Sequence, residues 1–249
     1  MFFVLLNDKI NKKYGIRYIK GMKKNKECNL SSCFLCRHCG EGWRQLIGLK
    51  KTTSLFKKGK AIFTEGEKVK GIYFVYSGTV KVHKQWLDKK ELIIRFAKAG
   101  SVVGHRGLGS GKVYPVSATA LEDSLICFID NEFLETSLTN NPTLTYEFMQ
   151  LYADDLQKAE LRMRNLALME VKGRIAETLL EMEDVFGKNK NKYIATAISR
   201  QDIAAYAGTT YETVFKLFRD IIKQKIISVS GKNIRLNNRD KLKEFIDGV

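Results

Sequence analysis

A chain of 249 residues, 44% apolar and 28% charged, is long enough to build the cores of two ordinary domains, which excludes disorder as its default state. Lys and Arg outnumber Asp and Glu by 43 to 27, a formal charge of +16, so an acidic polymer is a plausible partner. No run approaches the roughly 18 unbroken apolar residues of a membrane span, and the opening MFFVLL lacks the basic stretch that precedes a secretory core, so neither a membrane partner nor a signal peptide is expected.

Residues 1–50 read as an N-terminal arm, in which Met22, just before KKNKECN, offers a second start of translation. Four of the five cysteines crowd into CNLSSCFLCRHC, residues 28–39. An odd cysteine count without an export signal points to a reducing, cytoplasmic compartment, where thiols serve metals or redox chemistry rather than structural disulfides. Cys33, Cys36 and Cys39 are spaced C-x2-C-x2-C, which wraps three thiolates around one face of an iron–sulfur cube and leaves a fourth ligand to come from elsewhere. Zinc is the alternative, held tetrahedrally by four of Cys28, Cys33, Cys36, His38 and Cys39. A bare thiol switch, closing to disulfides on oxidation, is a third reading.

Residues 51–140 carry short β-branched and aromatic runs punctuated by glycine: AIFTEG, GIYFVYSGTVKVHKQW, ELIIRFAKAGSVVGH and VYPVSATALEDSLICFID. The pattern predicts an antiparallel barrel or roll, with a loop around Gly107, Gly109 and Gly111. Ile72, Phe74 and Tyr76 alternate with Tyr73, Val75 and Ser77, as in a strand with one buried face.

Residues 141–171 predict one long helix, with Pro142 suited to its first turn. Along it Met149, Tyr152, Leu156, Ala159, Met163 and Leu166 repeat at steps of three and four, a coiled-coil seam that predicts a homodimer. A second set, Leu144, Phe148, Leu151 and Leu168, is expected to face the roll. Burial of the whole helix within one chain is the competing reading.

In residues 172–249, SRQDIAAYAGTTYETVFKLFRDIIKQ has the anatomy of a helix-turn-helix. Ser199 with Asp202 caps the first helix, Ala205 and Gly208 allow a close crossing, and Thr209 with Glu212 is expected to form a second capping box. Ile203, Val214, Leu217 and Ile221 point to the core. Tyr211, Glu212, Phe215, Lys216 and Arg219 are left outside, the kind of face that reads a major groove. An ordinary amphipathic hairpin is the alternative, and SVSGKNIRL weighs against it: a ribbon turning at Ser230, Gly231 and Lys232 is the wing that touches phosphate.

These C-terminal residues resemble the winged helix-turn-helix of Crp/Fnr transcription regulators, and FKKGKAIFTEGEKVKGIYFVYSGTVKV is similar to that family's cyclic-nucleotide-binding-type β-roll. The resemblance, from about Lys51 to Val249, implies an α+β fold: an antiparallel β-roll, a dimerisation helix and a winged helix on double-stranded DNA, with RNA polymerase as a further partner. By resemblance Arg200 and Thr213 fall at phosphate-holding positions and Glu212 at a base-reading one, beside Thr210, Tyr211, Phe215, Lys216 and Lys232. Phe215 and Lys216 depart from the family's usual small residue and Arg, so the usual half-site does not carry over.

In the loop GHRGLGSGKVYPVSATA, His105 and Val116 stand where cyclic-nucleotide binders place Glu and Arg, and the resemblance therefore argues against cyclic AMP. Fnr-type oxygen sensors carry a cysteine at the position of Cys127. The resemblance thus supplies the fourth ligand of a 4Fe-4S cluster on Cys33, Cys36, Cys39 and Cys127. Taken alone, Cys127 reads as a small buried hydrophobe. An enzyme is not expected, since His38, His83 and His105 are scattered and no nucleophile motif such as G-x-S-x-G occurs.

Overall fold

The structure, a computed structural model, describes residues 33–87 and 90–248; Cys28, Met22 and the opening segment lie outside the described residues. The arm folds into two helices that sequence patterning had not marked, α1 (Phe34–His38) and α2 (Glu41–Lys50). Ile47 is buried, and the Trp43 indole N–H donates to Ser137 Oγ at 3.0 Å. The arm is thereby tied to the body of the protein.

The roll follows as β1 (Thr52–Phe56), β2 (Ala61–Phe63), β3 (Gly71–Ser77), β4 (Val80–Trp86), β5 (Lys90–Ala97), β6 (Val102–Val103), β7 (Ser117–Ala120) and β8 (Ser124–Asp130). They form two antiparallel four-stranded sheets, ordered β1-β8-β3-β6 and β2-β7-β4-β5. The glycine-rich stretch is not wholly a loop, because His105–Leu108 winds into a 3-10 turn. The expectation for β3 also needs correction. Tyr73 and Val75 join the apolar cluster between the two sheets, while Ile72 and Phe74 belong to a second cluster on the other side with Leu35, Ile47 and Leu144. Arm and helices cover that outer face, so both faces of β3 are enclosed and alternation in sequence does not become alternation in burial.

Asp130 ends β8 and caps α3 (Asn131–Asn140), its carboxylate accepting from the Phe133 N–H at 2.8 Å. Then comes α4 (Pro142–Leu168), with proline in its first turn as expected. It stops three residues short of the predicted end, and Met169 and Glu170 link it to α5 (Val171–Phe186). Leu144 and Phe148 are buried and Leu151 partly so, but Leu168, expected against the roll, is 80% exposed where α4 ends before α5.

The C-terminal unit comprises α5, α6 (Arg200–Ala207), α7 (Tyr211–Lys223), the ribbon β9 (Ile227–Ser230) and β10 (Asn233–Leu236), and α8 (Arg239–Asp247). Ser199 caps α6 through the Asp202 N–H, as the sequence suggested. The second cap is Thr210, accepting from the Thr213 N–H at 3.2 Å, and not Thr209. Thr209 is already committed: its N–H closes the end of α6 on Ala204 O at 3.0 Å, after Gly208 turns left-handed at φ +62°.

A Cβ on Gly208 would lie 2.6 Å from Leu166 Cδ2, so the helix-turn-helix corner sits directly against the end of α4. Gly208→Ala is expected to cost about 2 kcal/mol, combining the left-handed backbone penalty with displacement of Leu166. Urea unfolding checks it, and an unchanged midpoint would show that the corner tolerates a side chain.

Candidate functional site

The recognition face is built by α7. Its inner side buries Val214, Phe218 and Ile221, with Leu217 only partly covered; Phe218 is a core residue that the sequence reading had not picked. Tyr211, Glu212, Phe215, Lys216 and Arg219 are all exposed, Thr213 is half-buried, and the Thr210 cap fixes the start of the helix. Tyr211 and Phe215 stack at 6.3 Å, and the Arg200 guanidinium lies 5.8 Å from the Phe215 ring centre. The ribbon turns at Gly231 and Lys232 between Ser230 and Asn233. A cavity of about 220 Å³ separates α7 from this wing, with Arg200, Tyr211 and Lys232 on its walls. Arg200, Tyr211 and Lys232 thus border one cavity between helix and ribbon, beside the exposed rings and bases of α7, an arrangement that suits a helix in a major groove with a ribbon on phosphate.

Four thiols are buried on one side of the roll. Cys33, Cys36, Cys39 and Cys127 are all buried and belong to one apolar cluster with Leu35, Phe74, Val102 and Phe148. Cys127 lies mid-sheet, paired with Thr53 on one side and Phe74 on the other, with its Sγ 3.4 Å from Thr53 Oγ1. Burial and the neighbouring Cys33 push the Cys39 thiol up to about 11, although Arg44 pulls the other way. Among the described residues, no three His, Cys, Asp or Glu side chains converge closely enough to hold a metal ion. The donor set itself, four cysteines with no carboxylate among them, has the chemistry of a thiolate-held group.

Around the thiols, the arm grips the long helix. Phe34 meets Phe148 edge-to-face at 4.9 Å, and His38 Nδ1 lies 3.2 Å from Glu147 Oε2. Arg44 Nε donates to Cys36 O at 2.8 Å. Along the seam, Met149, Tyr152, Leu156, Ala159 and Met163 are exposed and Leu166 half-buried. Tyr152 also serves its own roll, donating to His105 O at 2.5 Å.

Two polar joints that sequence reasoning missed connect the parts. His105 is 1% exposed and approaches Asp155 of α4 at 3.1 Å, as does Arg106. Burial pushes the Asp155 carboxyl up, but His105, Arg95 and Arg106 outweigh it and hold it well below the usual range. Burial in turn lowers the His105 ring, against the opposite pull of Asp155. Val116, at the other position of the cyclic-nucleotide pair, is 5% exposed and packs in the intersheet cluster.

At the second joint, Lys81 of β4 reaches Glu91 of β5 at 2.5 Å and Asp202 of α6 at 3.0 Å, and His83 Nδ1 lies 3.0 Å from the other Glu91 oxygen. Arg162 of α4 stacks 3.7 Å from the Tyr206 ring centre and donates to the Ile93, Ile94 and Tyr206 carbonyls. Ile93 and Phe96 of β5 complete the contact by joining the core of the C-terminal unit. No local motif announces such contacts, since their members are up to 121 residues apart.

A strand roll, a long helix and a winged helix in this order define the fold of a DNA-binding regulator, and comparison with known proteins agrees. Residues 54–141 match the cyclic nucleotide-binding domain family and residues 173–245 the Crp-like helix-turn-helix domain family. The "Anaerobic regulatory protein" of Bacillus subtilis (strain 168) is 30% identical over 204 residues, covering 80% of this chain and 85% of that protein. The "Fumarate and nitrate reduction regulatory protein" of Escherichia coli (strain K12) is 28% identical over 203 residues, 81% of each chain. Among solved structures, FixK2 from Bradyrhizobium japonicum superposes with a TM-score of 0.70 at 28% identity, covering 78% of this chain and 96% of that one. The chain belongs to the Crp/Fnr family of DNA-binding transcription regulators, which are not enzymes. Among the described residues, no helix is long and apolar enough to cross a membrane.

Proposed function

We propose that this regulator acts as a homodimer in the reducing cytoplasm and senses oxygen, nitric oxide or redox state through an iron–sulfur cluster, 4Fe-4S in type, on Cys33, Cys36, Cys39 and Cys127. The observation that carries the reading is the burial of all four thiols in one apolar cluster, although 88 residues of chain separate Cys39 from Cys127. The names of the anaerobic and fumarate–nitrate regulators to which the chain is similar support it.

Such a cluster supplies redox and oxygen reactivity when bound. The chain's own residues transmit its state. Phe34 and His38 attach the thiol-bearing α1 to Phe148 and Glu147, immediately before the seam's first residue, Met149. A shift of α1 therefore reaches the stripe that pairs two chains, and the contact of Leu166 with Gly208 carries it to the DNA-binding corner. Arg200, Thr210, Tyr211, Glu212, Thr213, Phe215, Lys216 and Lys232 form the DNA contact surface of this reading, with RNA polymerase as the partner once DNA is bound.

Anaerobic reconstitution with iron and sulfide tests it. The full chain is expected to take up about four irons and four sulfides per chain with visible absorption that bleaches in air. Cys33→Ala, Cys36→Ala, Cys39→Ala and Cys127→Ala should each abolish uptake, whereas Cys28→Ala should not. Stoichiometric zinc with no iron, and operator affinity unchanged by air, would replace the cluster with a structural zinc site.

A further inference from the structure

The aromatic pair on α7 is exposed although the fold gives it nothing to cover. Phe215 is 49% exposed and Tyr211 40% exposed, on a helix whose inner face is already well filled by Val214, Phe218 and Ile221. Leaving a phenyl ring half in water forfeits stabilisation that any polar residue there would not lose. The ring is also not loose. Tyr211 stacks on it from the preceding turn with only 25° between the planes, and Arg200 approaches it from α6, so its outward edge is held in one place.

Its neighbours specify the occupant. Lys216 and Arg219 are exposed on the same face, and Arg200 and Lys232 line the adjoining wing cavity, so the surface is basic around an apolar centre. A protein partner with an apolar patch would meet this ring of positive charge. A DNA major groove meets it with phosphates, and its floor offers one apolar group, the thymine C5-methyl. On the helix, residues 211 and 215 are about 6 Å apart along the axis, close to the span of two base-pair steps.

We infer that Phe215, braced by Tyr211 and Arg200, is a specificity-determining residue that reads the C5-methyl of a thymine in the operator half-site, beside the base edge read by Glu212. This rests on the family's DNA-binding activity and is independent of the metal-cluster proposal. Phe215 has no polar group, so its discrimination is purely a matter of methyl contact. Deoxyuridine, which pairs as thymine does but lacks the methyl, isolates that contact.

The test begins by selecting operator sequences from random duplex DNA with the full-length protein, both anaerobically reconstituted and in air. Each thymine of the selected half-site is then replaced in turn by deoxyuridine and affinity is measured at fixed salt. One position is expected to lose about fourfold, the worth of a buried methyl group. In Phe215→Ser the thymine and deoxyuridine duplexes should bind equally at that position, while Phe215→Leu should retain part of the difference. The ratio of thymine to deoxyuridine affinity is read within each variant, which separates methyl readout from any general loss of DNA affinity or stability. A selected operator indifferent to the methyl at every position overturns this inference alone, as does a deoxyuridine penalty that persists in Phe215→Ser. Enrichment of no sequence under either condition overturns it together with the sequence-specific regulator reading.

Discussion

Asp155→Asn is expected to destabilise the protein by about 3 kcal/mol, a loss measurable by urea unfolding. One carboxylate oxygen serves both His105 and Arg106, and Arg95 lies close enough to help hold the carboxyl ionised. Removing that charge leaves Arg95 and Arg106 without the carboxylate that offsets them at the join between roll and long helix, and His105 without its partner. The penalty comes from the groups left behind rather than from the worth of any single pair. A double-mutant cycle with Arg106→Gln should recover a good part of the loss. A change below about 1 kcal/mol would mean that the carboxylate is not the common anchor proposed for these groups. Because Asp155 sits one residue before Leu156 of the seam, the variant should also weaken pairing of chains, detectable by sedimentation.

The second large effect is at the joint between roll and DNA-binding unit. Lys81→Met should cost about 3 kcal/mol, since Lys81 is 15% exposed and Glu91 and Asp202 would both lose their cation. It should also change how stability depends on acid. Burial alone would raise the Glu91 carboxyl, but His83 and Lys81 more than reverse this and hold it at about 2, against its usual 4.5. A carboxylate held that low in the folded state contributes stability that is fully present above about pH 4.5 and is lost as pH falls toward 2, about 3 kcal/mol in all. Unfolding free energies of the wild-type chain between pH 2 and 5 should therefore fall steeply with acid, and Lys81→Met should flatten that limb. Parallel curves for the two proteins would rule out Lys81 as the group responsible.

How far the sequence disclosed this protein depended on the range of the forces involved. The winged helix was legible because its signals are local: the Ser199 cap, the Gly208 turn and the spacing of Val214 and Ile221 each act within a turn or two of chain. The exposed stripe from Met149 to Met163 was legible for the same reason. What escaped were features decided by distant surfaces. The two faces of β3 are both enclosed because helices α1, α2 and α4 close over one of them, which no alternation within residues 71–77 can encode. Nothing local in the sequence marks the carbonyls that the fold brings around Arg162 or the carboxylates that it brings around Lys81. Thr209 and Thr210 compete for one cap, and the choice turns on a hydrogen bond back to Ala204 rather than on residue type. For the thiols, spacing alone united the three leader cysteines. Cys127 entered only through resemblance, and the fold sets all four in one cluster.

The uncovered stripe of Met149, Leu156 and Met163 has a consequence for how the regulator responds to its own abundance. If two chains must meet to hide it, the concentration of the DNA-competent species grows with the square of the single-chain concentration while pairing is scarce. Halving expression would then lower promoter occupancy about fourfold at the weak end, so gene dosage and chemical signal enter the output as a product.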